Sequence, residues 1–245
     1  MKVNKKYIGC NFTGHAYIGG VASSYDKPFK DEEVLLESGI IDYVPCMIGN
    51  ISDAYELLKS KITKNNSESF NEICQTIYET VDEYFGGINN INTRMSYYKS
   101  LDDIQTEADI TRVSTLKGKG AAMCVERAML SQNLLISLGI PSIYKTSCII
   151  KNSHDEVHAY NLISNDDSYY IFDTSIPTEK NGKISPLITK IPKEVFEQIS
   201  SPEQRIGYSI EVTHYNPLRN KDVHIIYDAN RKNIYDATNN NSRAK

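Results

Sequence analysis

Hydrophobic residues recur at helical spacing over much of residues 54–138 and at strand spacing beyond Pro141. Phe70, Ile73, Cys74, Ile77, Tyr78, Val81, Tyr84 and Phe85 fall at i, i+3, i+4, i+7 intervals, one apolar face of a helix. Ser67 or Glu68 is placed to open it, and Gly86-Gly87 to end it. A second run holds Ala121, Ala122, Val125, Ala128, Met129, Gln132, Leu135 and Ile136, set among good helix formers. It follows the pliable Lys117-Gly118-Lys119-Gly120 loop and stops at Leu138-Gly139-Ile140-Pro141, where glycine halts a helix and proline prevents its continuation. A weaker helix is predicted over residues 54–62, capped by Ser52 or Asp53.

The first 50 residues read as short elements cut by glycines. Brief strands are predicted at residues 7–10 and 16–18, and a short helix at 31–36 ending near Gly39. Residues 97–116 read as helical or irregular. After Pro141 the period changes to two, predicting strands at 142–150, 157–163 and 169–172 separated by polar turns. Pro177, Gly182 and Pro186 mark 174–186 as a loop; a short helix follows Pro192, and strands are expected at 208–212 and 223–227. From about residue 230 the chain is polar and Asn-rich, as fraying tails are. Helices followed by antiparallel strands indicate an α+β fold. The expected organisation is a core domain over 65–229, a 1–64 extension packed on it, and a 230–245 tail.

Composition narrows the function. A chain of 245 residues can bury a sizeable core, and a net charge of −4 offers no basic surface for nucleic acid or acidic lipid. No apolar run reaches the ~18 residues that span a bilayer, and the N-terminus lacks a signal-peptide core. A cytoplasmic address without a membrane partner is therefore expected. The five cysteines, Cys10, Cys46, Cys74, Cys124 and Cys148, are odd in number and form no CxxC pair, which argues against a disulfide framework or a zinc knuckle. No cofactor or metal is expected.

Cys124 falls in the first turn of the helix that follows the glycine loop. Unpaired N–H groups and the positive end of the helix dipole favour a thiolate there. The bland alternative is a small buried hydrophobe. His158 lies in the second predicted strand and Asp173 ends the third. Adjacent antiparallel strands would set the two side by side, and packing of the Cys helix on that sheet would bring the thiol to the imidazole. A cysteine nucleophile needs such a base, and the base needs an acidic group to orient it. A mixed Cys124-His158-Asp173 metal site is a weaker alternative. Cys74 and Cys148 read as core, Glu126 and Arg127 as solvated helix residues, and Lys117 and Lys119 as a charged loop. His15, His154, His214 and His224 match no motif.

Four features coincide over residues 65–176: Cys124 with Ala128 four positions on, Leu138-Gly139-Ile140-Pro141-Ser142, His158-Ala159-Tyr160-Asn161, and Tyr169-Tyr170-Ile171-Phe172-Asp173-Thr174. In order and spacing the chain resembles the transglutaminase-like superfamily of papain-fold cysteine enzymes. That family's pattern is a Gly-x-Cys helix start, a Leu-Gly-Ile-Pro helix stop, a His-Ala-Trp-Asn strand, and an aromatic strand ending in Asp-Pro or Asp-Thr. The resemblance implies a papain-like core with the Cys helix packed on an antiparallel sheet. It further implies Cys124 as nucleophile, His158 as base and acid, and Asp173 as orienting carboxylate, acting on a protein or peptide substrate. Ala122 replaces the family's glycine, Tyr160 replaces its tryptophan, and the chain has no Trp. Crosslinking members shield the acyl-enzyme from water with large aromatic walls. The expected activity is therefore hydrolysis of an amide or peptide bond, as a cysteine protease or amidase. Transamidation or deamidation is the alternative, and a catalytically silent binding module is the alternative of another class.

Overall fold

A computed structural model describes residues 6–8, 24–30, 33–38, 43–66, 69–87, 93, 111–151, 156–200 and 209–228. The fold is α+β: helices pack on a curled antiparallel sheet. Among the described residues no helix is long and apolar enough to cross a membrane.

Helix α1 spans Ser52–Asn65 and α2 spans Phe70–Phe85. The opening of α2 is a capping box on Ser69, a little beyond the residues read as its start. The Glu72 N–H donates to Ser69 Oγ at 3.3 Å, and the Ser69 N–H donates back to Glu72 Oε2 at 2.9 Å. Gly86, at φ 78°, ends the helix. Helix α3 spans Cys124–Ser137. Its stop is a Schellman motif: Gly139 donates to the Ile136 carbonyl at 3.0 Å, and Ile140 to that of Leu135 at 3.0 Å. Pro141 then turns the chain into the sheet.

The described strands are β1 (Lys6–Ile8), β2 (Ser24–Tyr25), β3 (Glu33–Ser38), β4 (Tyr43–Met47), β5 (Thr111–Arg112), β6 (Ser142–Lys151), β7 (Glu156–Asn165), β8 (Ser168–Lys180), β9 (Lys183–Ile191), β10 (Ile210–Asn216) and β11 (Lys221–Tyr227). The last short helix, α4, spans Lys193–Ile199. The large sheet runs β10-β11-β6-β7-β8-β9, with β2 also paired to β6. A smaller sheet runs β1-β3-β4-β5.

Two expectations are corrected here. Residues 31–36 were expected to be helical, but Glu33–Ser38 is a strand with β1 on one side and β4 on the other. A short apolar run has no period of its own, and pairing on both sides decides its state. Residues 174–186 were expected to be a loop, but they belong to the β8–β9 hairpin. Asn181 and Gly182 form its two-residue turn at φ 53° and 72°, the left-handed backbone such turns need. The β8–β9 register shifts between Asp173 and Thr178, so Pro177 lies in the break and Pro186 opposite it, where the ladder asks for no N–H.

Strand alternation divides the interior in two. Ala159, Ile163, Tyr144 and Phe172 face α3 and join one core with α1 and α2. Tyr160, Leu162, Ile171, Val223, Ile225 and Tyr227 form a second core inside the curl, where β10 leans back onto β8. Phe29, Cys46, Ile48, Ile51, Ala54 and Leu58 belong to the first core together with α2 and α3. Each such aliphatic or aromatic side chain contributes roughly 1.5–3 kcal/mol over leaving it exposed. The expected strand at 16–18 and the 230–245 tail lie outside the described residues.

The loop before α3 is clamped to the end of α2. Gly118 N–H donates to the Tyr84 carbonyl at 2.8 Å and Gly120 N–H to that of Phe85 at 2.7 Å. A Cβ on Gly86 would meet the Gly118 backbone at 2.9 Å, at a φ that side chains rarely adopt. Gly86→Ala is therefore expected to cost about 1–3 kcal/mol. It should appear as a lower urea midpoint at an unchanged m value. Gly87→Ala, also at positive φ but facing open space, should lose less.

Candidate active site

The clamp sets where α3 begins. After Gly120 come Ala121 and Ala122, both buried, then Met123, whose N–H donates to Glu126 Oε2 at 2.8 Å. Cys124 is the first helical residue and is partly exposed. As the first residue, its N–H has no intrahelical partner.

Glu126 and Arg127, expected to be solvated, are each only 1% exposed. Glu126 turns back onto the Met123 N–H, while Arg127 is held between the end of α2 and β8, where local partners replace the water. Arg127 Nε donates to the Thr174 carbonyl at 3.2 Å, one terminal nitrogen to that of Gly87 at 3.3 Å, and the other to Asp82 Oδ1 at 3.0 Å. Burial works against its charge, and the Asp82 carboxylate works for it. Ser131 Oγ and Thr174 Oγ1 lie 3.2 Å apart. Asn161 Nδ2 donates to the Ala128 carbonyl and to Gln132 Oε1, each at 3.2 Å. Polar bonds thus tie α3 to both strands of interest, three residues after His158 and one after Asp173.

His158 and Asp173 are 3% and 1% exposed, and His158 Nε2 lies 2.6 Å from Asp173 Oδ2. A carboxylate only accepts, so Nε2 carries the proton of that bond. The Cys124 sulfur acts on His158 from the start of α3, and Nδ1 is the ring nitrogen not engaged by Asp173. The structure therefore brings Cys124, His158 and Asp173 together. Strand pairing explains how. The β7–β8 ladder ends at Asn161 opposite Phe172. One further pair would set Asp173 opposite Tyr160, diagonal to His158 and on the same face, within side-chain reach. Asp173 also stands where the β8–β9 register breaks, so the strands part around the carboxylate.

Electrostatics follows from this geometry. Burial alone would lower the His158 pKa, but the Asp173 charge, the Cys124 sulfur and the bonds to both raise it to about 10. Burial would raise that of Asp173, yet it is held below the usual carboxylate range by His158, by the Ser175 N–H on Oδ1 at 2.9 Å, and by the Tyr227 hydroxyl on Oδ2 at 3.1 Å. Each partner stabilises the charged form of the other.

Three neighbours escaped the sequence reading. Tyr227 reaches Asp173 from β11. His214, on β10, sits against the backbone of Ile176 and Pro177 and within electrostatic reach of Asp173. Only the curl of the sheet brings either of them there, and no local pattern encodes the curl. Cys148 was expected to be core and is, but it also faces His158 directly across the β6–β7 ladder. Burial pushes its thiol well up, and the Asp173 charge adds to this. Lys117 forms an exposed ion pair with Asp53. Among the described residues no cluster of three or more His, Cys, Asp or Glu side chains is arranged to hold a metal ion.

No family model, no curated protein and no solved structure matches this chain.

Stability should carry the signature of the His158–Asp173 pair. The raised His158 pKa contributes stability that is complete below the unfolded value of ~6.5. That contribution is lost as pH rises through about 10. The depressed Asp173 pKa contributes stability that is complete above ~3.9 and is lost as pH falls below it. The pair should therefore contribute most between pH ~4 and ~6.5. Removing one partner of a buried pair costs about 3–5 kcal/mol. His158→Ala should show that loss near pH 6, with the gap to wild type narrowing toward pH 10, as measured by urea denaturation across pH.

Proposed function

We propose that this chain is a cysteine-dependent acyl-transfer enzyme with a papain-like, transglutaminase-like core that hydrolyses an amide or peptide bond. The carrying observation is the partly exposed Cys124 at a helix start acting on the protonation of His158, whose ring is hydrogen-bonded to buried Asp173. The ordered motifs that resemble the transglutaminase-like superfamily support the same reading.

In this mechanism Cys124 gives its proton to His158 Nδ1, and the thiolate sulfur attacks the carbonyl carbon. The carbonyl π electrons move to oxygen, and the helix-start N–H of Cys124 donates to that oxyanion. As the intermediate collapses the C–N bond breaks, and the His158 imidazolium hands its proton to the departing amine. A thioester on Cys124 remains. Neutral His158 then takes a proton from water as the water oxygen attacks. The second collapse breaks the C–S bond, releasing the acid and restoring Cys124. Asp173 stays ionised throughout, holding the Nε2–H tautomer and stabilising the imidazolium.

Hydrolysis is favoured over transamidation by the position of Tyr160, where the family has tryptophan. Its ring lies in the second core, edge-on to Tyr227 with centroids 4.8 Å apart. It is not a wall between an acyl-enzyme and water. The substrate class proposed is a protein or peptide.

The test is thiol labelling coupled to a peptide-substrate screen. Cys46, Cys74 and Cys148 are buried while Cys124 is partly exposed, so faster alkylation of Cys124 alone would report only access. Activation is read from His158→Ala, which is expected to slow iodoacetamide labelling of Cys124 about tenfold or more near pH 6. Turnover of any hydrolysed peptide should fall about 10²–10⁴-fold, with Asp173→Asn weaker and Cys124→Ala inactive. If Cys124 labelling is indifferent to His158→Ala, the chain is a binding module on the same fold.

A further inference from the structure

We infer that Tyr227 is a positioning residue of this site, its hydroxyl fixing the Asp173 carboxylate that orients His158. The inference rests on the catalytic reading of Cys124, His158 and Asp173.

Burying a phenol hydroxyl without a hydrogen bond costs free energy, and the partner of the Tyr227 hydroxyl is the carboxylate oxygen that also bonds the imidazole. Oδ2 of Asp173 receives Nε2–H of His158 at 2.6 Å and the hydroxyl of Tyr227 at 3.1 Å. Oδ1 receives the Ser175 N–H at 2.9 Å. Donors from β7, β8 and β11 thus fix the carboxylate plane, and rotation about χ2 would break all three bonds. Sharing one oxygen has a second effect. The Tyr227 hydroxyl withdraws negative charge from Oδ2, so the carboxylate competes less for the Nε2 proton and the proton stays on the imidazole.

Tyr227 is itself held firmly. Its backbone pairs with Cys148 on one side and Ile210 on the other. Its ring meets the Tyr160 ring at 4.8 Å and 68°. The next residue, Asp228, forms a buried ion pair with Lys145 at 3.1 Å, and Lys145 Nζ also donates to the Ile199 carbonyl. Lys145 in turn stands directly opposite Tyr160 across the β6–β7 ladder. The hydroxyl cannot swing away from Asp173 without disturbing this frame. Burial and the Asp173 charge push the Tyr227 pKa well above the usual phenol value, so it remains a donor wherever the enzyme works. The other titratable groups acting on Asp173 are His158 from β7, Arg127 from α3, Cys148 from β6 and His214 from β10.

Tyr227→Phe removes the hydroxyl and keeps the ring that packs on Tyr160. Two readouts separate positioning from mere packing. The first is the NMR resonance of the His158 Nε2 proton in the full chain labelled with 15N-histidine, which should move as Oδ2 loses its second donor. The second is the pH profile of peptide hydrolysis. Asp173 loses a donor to its charged form, so the acid limb should shift to higher pH. The maximal kcat should fall roughly tenfold, as for one hydrogen bond to a charged acceptor, with KM unchanged. Should Tyr227→Phe not fold, 3-fluorotyrosine at position 227, a stronger donor, should move the resonance in the opposite direction. A moved resonance in a protein whose Cys124 is inert supports the Tyr227 assignment and overturns the catalytic reading. An unmoved resonance and an unshifted acid limb in active enzyme overturn the Tyr227 assignment alone.

Discussion

A charge inside the protein is the constraint around which the rest is arranged. Removing a carboxylate from water costs several kcal/mol even after relaxation, and Asp173 is almost wholly removed. Its ionised form persists because donors reach it from its own strand, from β7 and from β11. Each donor demands a placement. His158 must stand two residues along β7 from the position facing Asp173, Tyr227 must end a strand that returns between β10 and β6, and β8 must break register beside the carboxylate. The curl of the sheet and the proline-bearing irregularity of β8 answer to the same buried group.

Helix α3 meets that constraint from the other side. Three residues after Cys124, the Arg127 guanidinium joins the strand leaving Asp173 to the end of α2. The glycine contact before the helix joins the same end of α2 to the approach to Cys124. Cys124 and the Asp173 carboxylate are therefore referenced to one point, the last turn of α2. A buried cation so anchored adds little net stability by itself, because its desolvation nearly cancels its attractions. Its effect is to specify one relative placement of helix and strand.

The sequence carried much of this, unevenly. The heptad-like spacing of Phe70 to Phe85 and the run from Ala121 to Ile136 determine two helices, because their apolar faces repeat over several turns. Cys124, His158 and Asp173 were legible because each falls at a defined place on a predicted element: a helix start, a mid-strand and a strand end. Short runs were not. Val34-Leu35-Leu36 has no period long enough to separate strand from helix. Pro177 and Pro186 read as breakers because a register shift that spares them both is a property of two strands, visible in neither. Glu126 and Arg127 read as solvated because charge defaults to the surface, and only packing supplies Asp82, Thr174 and Gly87 as partners. Tyr227 carries no local signal, since its significance is created by a strand pairing between distant segments.

The interior position of β11, between β10 and β6, has a consequence for when this cluster exists. During synthesis the ribosome delivers Cys124, His158 and Asp173 well before residues 221–227. The strands β6 to β9 follow one another as a meander and can pair locally as they emerge. β11 must instead come back and lie against β6, closing a long loop at an entropic cost. Until it does, the inner core is open and the carboxylate lacks its third donor. A nascent chain therefore carries Cys124, His158 and Asp173 for some time before the carboxylate is fully held. Assembly order, set by nothing more than β11 following the other strands of this sheet along the chain, leaves Asp173 without that donor until residues 221–227 have emerged.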